Sequence, residues 1–298
     1  MELVGKKSPQ TGNELNSKAT QFKEMNELAV KAFSKRILCS GDLESKLARP
    51  VNEEKSDRGT SFDLEGGTLP ARNSEIRFSS VGSKIPKPHQ LDDPDMRASC
   101  LARFAHHELM AVELLAWALI RWPEAPLGLR QDWYEILADE QKHCRLYLER
   151  LDAHGLSLGD FELNPYFWRQ APRISKSPSG ACAFLSGLGL TLEQANLDFT
   201  IIYGEAFENS GDLESSEVFK IVHRDEIRHV ASASRWLKAL SGEKKEVDRY
   251  KNSVPFPLSA ARAKAKRFES APRRAAGLEE SFISFVKNSR STQESPRR

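Results

Sequence analysis

The sequence lacks a long hydrophobic run and any cysteine pattern typical of disulfides or a zinc site. Its most apolar stretch, residues 109–120, is broken by Glu113, and a membrane helix needs about 18 or more uncharged residues. The four cysteines lie far apart without a C-x-x-C pair, so we expect ordinary reduced thiols. The start of the chain turns polar after Val4 and carries no secretory signal. These absences predict a cytoplasmic protein with no membrane span.

Two further absences concern strands and nucleotide sites. No segment shows the alternating pattern of a β-strand, and no G-x-G-x-x-G or other phosphate-binding glycine loop occurs. A built-in nicotinamide or nucleotide site is therefore not expected. If the chain performs redox chemistry, its electrons must come from an external electron donor.

Charge is distributed unevenly along the chain. Basic and acidic residues number 15 and 15 over residues 1–95, 15 and 20 over 96–240, and 14 and 7 over 241–298. A basic extension therefore follows an acidic centre. It either packs back on that centre or is solvated, or it binds a polyanion such as nucleic acid. The low number of aromatic residues in the extension favours the first interpretation.

Helix signals divide the chain into three parts. Residues 1–95 contain a predicted helix at about 14–38, then a polar segment that wraps the protein or is partly disordered. Residues 96–240 form a predicted helical domain, and residues 241–298 form the basic C-terminal extension. The sequence thus predicts an all-α fold, a ferritin-like four-helix bundle with N-terminal and C-terminal extensions. The predicted bundle helices are 94–122, starting at Asp93-Pro94, then 129–154, 183–209 and 212–240.

Each bundle helix has an apolar seam interrupted by a glutamate. These four residues are Glu108, Glu140, Glu193 and Glu226. An isolated ionised carboxylate in a core costs several kcal/mol or more, so four of them require a compensating positive centre or protonation. Metal ions would supply that centre.

Two of the glutamates belong to Glu-x-x-His motifs, Glu140 with His143 and Glu226 with His229. Both copies read Asp-Glu-x-basic-His, and residues three apart share one helix face. Glu108 precedes Glu140 by 32 residues and Glu193 precedes Glu226 by 33, which indicates two facing hairpins. This is the ligand set of di-iron and di-manganese carboxylate bundles. We therefore predict two iron ions, with manganese as the alternative at one or both positions, bound by Glu108, Glu140, His143, Glu193, Glu226 and His229.

One ligand assignment stays open at this stage. Glu113 would replace Glu108 if the first bundle helix were rotated, although Glu108 matches Glu193 in the repeat. Asp139 and Asp225 are expected to hold a ligating imidazole or an arginine. The remaining predicted assignments are structural or supporting roles for His106, His107, His154 and His223, and core packing for Tyr147 and Tyr203.

Several segments resemble an uncharacterised bacterial ferritin-like family known only as a domain of unknown function. The resemblance covers roughly residues 28–284 and implies the ferritin-like fold with a dinuclear site, but no substrate. More distantly, the layout is similar to tRNA-hydroxylating di-iron monooxygenases and rubrerythrins. The segments that carry the resemblance are HHEL at 106–109, AVEL at 111–114, DEQKHC at 139–144, LYLERL at 146–151, GDLESKLA at 41–48, GDF at 159–161, LEQANLDF at 192–199, PFPL at 255–258 and AAGL at 275–278.

Three functions are compatible with these observations. The first is a metal-dependent oxidoreductase in which Glu140 and Glu226 bridge two ions that activate O2 or peroxide, acting on a small-molecule substrate. The second is a non-catalytic iron-binding or storage protein. The third is a tRNA-modifying di-iron hydroxylase, which would use the basic extension and show salt-sensitive RNA binding. A homodimer is compatible with each of them.

Overall fold

The computed structural model describes residues 27–49, 61–81 and 84–290. Over these ranges the chain is all-helical, and its β-type pairing is limited to an isolated bridge between Phe78 and Leu163. This confirms the predicted helical class. No helix within these ranges is long and apolar enough to cross a membrane.

The α-helices are numbered here in chain order, and short 3-10 turns lie between some of them. A π-helical segment, Leu185–Glu193, runs directly into the helix that follows it. The α-helices are α1 Glu27–Cys39, α2 Leu43–Leu47, α3 Pro94–Arg121, α4 Leu127–Asp152, α5 Ala171–Ser175, α6 Ala181–Phe184, α7 Gln194–Asn209, α8 Leu213–Leu240, α9 Glu246–Ser253, α10 Ser270–Ala275 and α11 Glu280–Asn288.

Aspartate caps begin the two longest helices. The Asp93 carboxylate accepts a hydrogen bond from the backbone N–H of Asp95 at 2.9 Å, and Pro94 occupies the first helical position. At α8, Asp212 accepts from the N–H of Ser215 at 3.0 Å. Gly211, with a φ of 83°, makes the turn that leads into this cap. Both predicted helix starts are confirmed.

Other boundaries differ from the prediction. Helix α4 begins at Leu127, two residues early, because Pro126 precedes it and its carbonyl accepts the first helical hydrogen bonds. It ends at Asp152, and His154 lies in a turn closed by Gly155 at a φ of 71°. The predicted connection at 159–178 contains α5 and a 3-10 turn. Of the predicted helix at 14–38, residues 27–38 lie in α1, and residues 14–26 fall outside the described residues.

Helices α3 and α4 pack against each other, as do α7 and α8, and α4 contacts α8 between the two pairs. Helix α1 lies on α3, while α9 and α10 contact α8. Two apolar cores result. One contains Trp117, Trp133 and Phe184, and the other contains Phe104 and Phe219.

Along α4 and α8, residues of one core are followed by residues of the other at a similar height in the protein. On α4, Leu137 belongs to the first core and Cys144 to the second, so Glu140 and His143 lie between them. On α8, the segment between Val222 of the second core and Val230 of the first contains the other Glu-x-x-His motif. The polar residues predicted to bind metal therefore form a layer between two hydrophobic regions.

Candidate metal centre

The six predicted ligands come from four helical segments and are all buried. Glu108 lies on α3, and Glu193 is the last residue of the π-helical segment. The two Glu-x-x-His motifs lie on α4 and α8. The exposed fractions of the six residues are 2% for Glu108, 0% for Glu140, 0% for His143, 6% for Glu193, 0% for Glu226 and 1% for His229.

These side chains form two overlapping groups of potential ligand atoms. The first group consists of Glu108, Glu140, His143 and Glu226, and within it the ligand atoms lie within 4.8 Å of one another. The second group contains Glu140 with Glu193 and His229, at the same spacing. Glu140 is thus shared by both groups, as a bridging carboxylate would be. Glu226 also approaches the second group, with its Oε2 3.6 Å from the Nδ1 of His229.

Each of the six residues has at least one buried oxygen or nitrogen atom without a hydrogen-bond partner. Buried polar atoms are almost always paired in proteins, so a cluster of unpaired ones marks residues that could hold a cation. Close contacts such as that of His229 Nδ1 with Glu140 Oε1, at 3.0 Å, do not have hydrogen-bond geometry. The atoms are Glu108 Oε1, both Oε of Glu140, His143 Nδ1, Glu193 Oε1, Glu226 Oε2 and His229 Nδ1.

The aspartate of each motif contacts the histidine of the other motif. The Nε2 of His143 lies 2.9 Å from the Oδ2 of Asp225, and the Nε2 of His229 lies 3.5 Å from the Oδ2 of Asp139. Both imidazoles therefore direct Nε2 towards an aspartate and leave Nδ1 facing the glutamates. A carboxylate behind an imidazole fixes the ring and increases its basicity as a ligand.

The basic residue of each motif connects the same two aspartates. Lys142 Nζ lies 2.5 Å from Asp225 and 3.7 Å from Asp139. Arg228 pairs with Asp139 at 3.2 Å and also with Asp225. The shared Asp-Glu-x-basic-His pattern therefore describes one network that joins α4 to α8 outside the ligand layer.

Asn196, which the sequence reasoning missed, contacts a ligand directly. Its side-chain N–H donates to the Oε1 of Glu226 at 2.8 Å, leaving the Oε2 of that carboxylate free for a metal. Asn196 lies three residues after Glu193, one turn along the same helix face. That spacing was the available sequence signal.

The pKa values of the glutamates in the cluster reflect the close approach of several carboxylates in a buried site. Burial and the neighbouring carboxylates raise the pKa of Glu108 well above its usual value, and burial also raises the pKa of Glu193. Burial would raise the pKa of Glu140 as well, but contacts with His143 and His229 lower it. The layer thus cannot hold all its carboxylates ionised without added positive charge.

Glu113, the rival ligand on α3, lies outside both groups. Its Oε1 lies 3.0 Å from Lys46 Nζ and its Oε2 lies 2.7 Å from Arg72 Nη2, and all three side chains are almost fully buried. The indole N–H of Trp168 also donates to Oε2 at 2.9 Å. Although burial opposes ionisation, Arg72 and Lys46 hold the pKa of Glu113 below its usual value. The carboxylate is therefore fully engaged by residues of the protein.

Asp198 occupies the corresponding position in the second hairpin, five residues after Glu193. It accepts hydrogen bonds from Arg273 at 2.6 and 3.0 Å, and neither side chain is exposed. The backbone N–H groups of Ala265 and Glu269 add bonds of 2.9 and 2.8 Å. The second acid of each hairpin therefore anchors an extension, the N-terminal one at Glu113 and the C-terminal one at Asp198.

The helix that carries Glu193 is wound differently from the prediction. Its π-helical segment has an i→i+5 hydrogen-bond pattern, which changes the direction of side chains relative to an α-helix. Gly189 within it approaches α8 so closely that an added Cβ would lie 2.4 Å from the Cβ of Ala233. The small side chains at this crossing let the segment lie close to α8 beside Glu193.

A narrow cleft ends at this side of the cluster. Almost none of its space is wide enough for a water-sized molecule, and Glu193 and His229 lie in its wall. The rest of the lining is mainly apolar, with Leu115, Trp133 and Phe184 among the residues that form it. The cleft therefore brings apolar walls to one side of the cluster but is not an open channel to it.

The other histidines lie outside both ligand groups. His106 Nε2 contacts Arg72 Nη1 at 2.7 Å, and the His107 ring stacks on Phe167 with centroids 5.0 Å apart. Burial lowers the pKa of His107 to about 4, so its ring is neutral. The remaining contacts are those of His154 with Asp212 at 4.0 Å and of His223 Nδ1 with Thr200 Oγ1 at 2.8 Å.

Over the described residues the chain is all-helical, and its interior contains carboxylate and imidazole groups that could hold a metal ion. The chain belongs to the family described as "Protein of unknown function (DUF455)", which matches residues 16–284. The predicted resemblance to a family of unknown function is thereby confirmed, and ferritin-like membership stays a prediction.

One curated relative, an "Uncharacterized protein" of Haemophilus influenzae, is 30% identical to the chain over 151 residues. The aligned region is 48% of this chain and 51% of the relative, so the chain spans about half the length of that relative. No solved structure matches the chain.

Proposed function

We propose that this protein is a metal-dependent oxidoreductase with a ferritin-like four-helix arrangement around a carboxylate-bridged pair of iron ions that activates O2 or peroxide. One observation carries the proposal. All six predicted ligands have unpaired buried atoms, and Glu140 belongs to both groups of ligand atoms. Two cations bound between these side chains would satisfy the unpaired atoms together.

The number and kind of ligands favour iron or manganese over zinc. Four carboxylates and two imidazoles, without thiolate, suit iron or manganese better than a structural zinc ion. Cys144, adjacent to His143, directs its thiol to the carbonyl oxygen of Ala105 at 3.4 Å and lies outside both groups. Manganese at one or both positions remains the alternative.

The ligands would divide between the two positions according to the two groups. Glu108 and His143 would bind the first ion, Glu193 and His229 the second, and Glu140 both. Glu226, oriented by Asn196, would be the second bridge, since its carboxylate belongs to the first group and lies close to His229. When bound, such a metal pair supplies the electrons that reduce dioxygen or peroxide.

The protein's own residues control access and orientation. The apolar cores on both sides of the layer exclude bulk water, which strengthens electrostatic interactions within it. The Asp139 and Asp225 carboxylates hold the two imidazoles from outside. The cleft beside Glu193 has mainly apolar walls but is too narrow for a substrate as it stands, so oxidants or small apolar molecules would enter only when those walls move. Electrons would come from an external donor.

Anaerobic protein loaded with ferrous iron tests this proposal. On mixing with O2 or hydrogen peroxide, wild-type protein should consume the oxidant rapidly and bound iron should become ferric. Glu140→Ala should lose this reaction, whereas Glu149→Ala, at an exposed position on the same helix, should keep it. Bound iron that stays ferrous with both oxidants would contradict the proposal.

The alternatives give different results in the same experiment. Iron storage predicts a single oxidation per load, with ferric iron accumulating beyond two ions per chain and no sustained turnover when a reductant is added.

A tRNA hydroxylase would need an exposed basic surface. In the C-terminal extension, Arg249, Arg267, Arg273 and Arg274 all pair with acidic residues, which favours packing of the extension on the protein.

A further inference from the structure

Tyr147 lies one turn beyond His143 on the same face of α4, directly beside the ligand layer. Its side chain is fully buried, with an exposed fraction of 0%. The neighbouring rings occupy equivalent places on other helices, since Phe104 lies one turn before Glu108 and Phe219 lies two turns before Glu226. Tyr147 therefore belongs to an aromatic layer that covers the ligand layer on the side opposite the cleft.

The Tyr147 hydroxyl has no hydrogen-bond partner. Buried phenols usually have one, as Tyr203 does in the same aromatic layer, where its hydroxyl donates to the carbonyl oxygen of Pro86 at 2.8 Å. A buried hydroxyl without a partner lowers stability relative to phenylalanine. Packing alone therefore does not account for tyrosine at position 147.

Two aromatic rings hold Tyr147 in place. The ring stacks on Phe104 with centroids 5.6 Å apart, and Phe219 meets its edge region at 5.1 Å. Burial, together with the negative charges of Glu108, Glu226 and Glu140, raises the pKa of the phenol well above its usual value. The phenol is thus neutral at ordinary pH.

We propose that Tyr147 is a redox-active residue that donates one electron and one proton when the metal pair is oxidised, and becomes a neutral phenoxyl radical. This inference rests on the proposed function, since it requires the metal pair. The arrangement supports it because the phenol lies next to the ligand layer, shielded from water by Phe104 and Phe219. The same shielding would protect the radical from solvent and from reductants that do not enter the protein.

The step balances with hydrogen peroxide as oxidant. The O–H bond of Tyr147 breaks and the O–O bond of peroxide breaks, giving two molecules of water. Peroxide takes up two electrons, one from Tyr147 and one from a ferrous ion, which becomes ferric. It takes up two protons, one from the Tyr147 hydroxyl and one from solvent.

Electron paramagnetic resonance of freeze-quenched samples tests the inference. Full-length protein, loaded anaerobically with ferrous iron, is mixed with hydrogen peroxide. We expect a free-radical signal that narrows when the tyrosines carry ring deuterium. Tyr147→Phe should abolish the signal while still binding and oxidising iron. Tyr203→Phe is the matched control, because its ring contacts Phe104 and Phe219 in the same layer, and it should keep the signal.

Stability of the metal-free variants provides a second readout. Because the Tyr147 hydroxyl has no partner, Tyr147→Phe should leave Tm unchanged or raise it, whereas Tyr203→Phe should lower Tm by a few degrees. A large fall in Tm for Tyr147→Phe would contradict the claim that its hydroxyl has no structural role.

The outcomes separate the two proposals. Iron that is oxidised without a tyrosyl signal, or a signal that persists in Tyr147→Phe, overturns the inference and leaves the proposed function intact. Iron that is not bound or not oxidised overturns the proposed function, and the inference falls with it.

Discussion

The carboxylate of Glu113 accepts hydrogen bonds from the guanidinium of Arg72 at 2.7 and 3.1 Å, and both side chains are shielded from solvent. Arg72 belongs to the segment before α3, so this pair fixes that segment on the helical core. Lys46 on α2 lies 3.0 Å from the same carboxylate. These pairs give Glu113 a structural role, and Glu108 remains the candidate ligand on α3.

Glu108→Ala should thus affect metal content, whereas Glu113→Ala should affect stability. Glu108→Ala removes a predicted ligand and should lower metal content while the protein stays folded. Glu113→Ala leaves the buried side chains of Lys46 and Arg72 without their carboxylate partner. It should destabilise the protein by about 3–5 kcal/mol, but the folded fraction should keep its metal content. Metal analysis and chemical denaturation would measure both effects. Loss of metal in folded Glu113→Ala, with metal retained in Glu108→Ala, would reverse the assignment.

The C-terminal extension should depend on Arg273 in the same way. Arg273→Ala leaves the buried Asp198 carboxylate without its guanidinium partner, and we expect a loss of about 3–5 kcal/mol in the free energy of unfolding. Its neighbour Arg274 forms an exposed pair with Glu280, so Arg274→Ala should change the free energy of unfolding very little. Denaturant unfolding would measure the difference. Equal effects of the two substitutions would show that burial of the Arg273 pair is unimportant.

The aspartates behind the imidazoles should tune metal affinity. Asp225→Asn and Asp139→Asn keep side-chain size but remove the negative charge, and each should weaken metal binding about 10–100-fold. Competition with a chromophoric chelator would measure this. Asp132→Asn is a suitable control, because Asp132 also joins α4 to α8, through Ser232 and Trp236, without touching a ligand imidazole. Equal weakening in the control would assign the effect to helix packing.

The π-helical crossing should be sensitive to a single methyl group. Gly189→Ala places a Cβ 2.4 Å from the Cβ of Ala233, so the segment or α8 must shift. Overpacking of this kind costs about 1–3 kcal/mol, and it should also displace Glu193 and weaken metal binding. Gly242, with nothing within 4 Å of an added Cβ, provides the control in Gly242→Ala. Unchanged stability and metal affinity in Gly189→Ala would contradict this account.

The sequence predicted the parts of the structure that depend on local patterns. Helix starts at Asp93 and Asp212 are short-range capping interactions, and they were predicted correctly. The six candidate ligands follow helical spacing and a repeat, and the structure brings all six together. The Glu and His of each Glu-x-x-His motif are three residues apart, and a regular α-helix places two such residues on one face, which is why their grouping was predictable.

Features that depend on long-range contacts could not be predicted. Apolar periodicity reveals neither the π-helical pattern before Glu193 nor the close approach of Gly189 to Ala233 on α8. Each aspartate contacts the histidine of the other motif, and this could be predicted only by knowing which helices face each other. Likewise, the partners of Glu113 and Asp198 lie 41 and 75 residues away in Arg72 and Arg273, and no local rule links them.

The most direct test is element-specific anomalous scattering from crystals of protein purified with iron and manganese both supplied. We expect about two ions per chain, both in contact with Glu140, with His143 beside one and His229 beside the other. The Glu140→Ala, Glu226→Ala double variant should contain neither ion in its folded form. Full metal occupancy in that variant, or a wild-type crystal whose ions lie away from this layer, would contradict the assignment of the site.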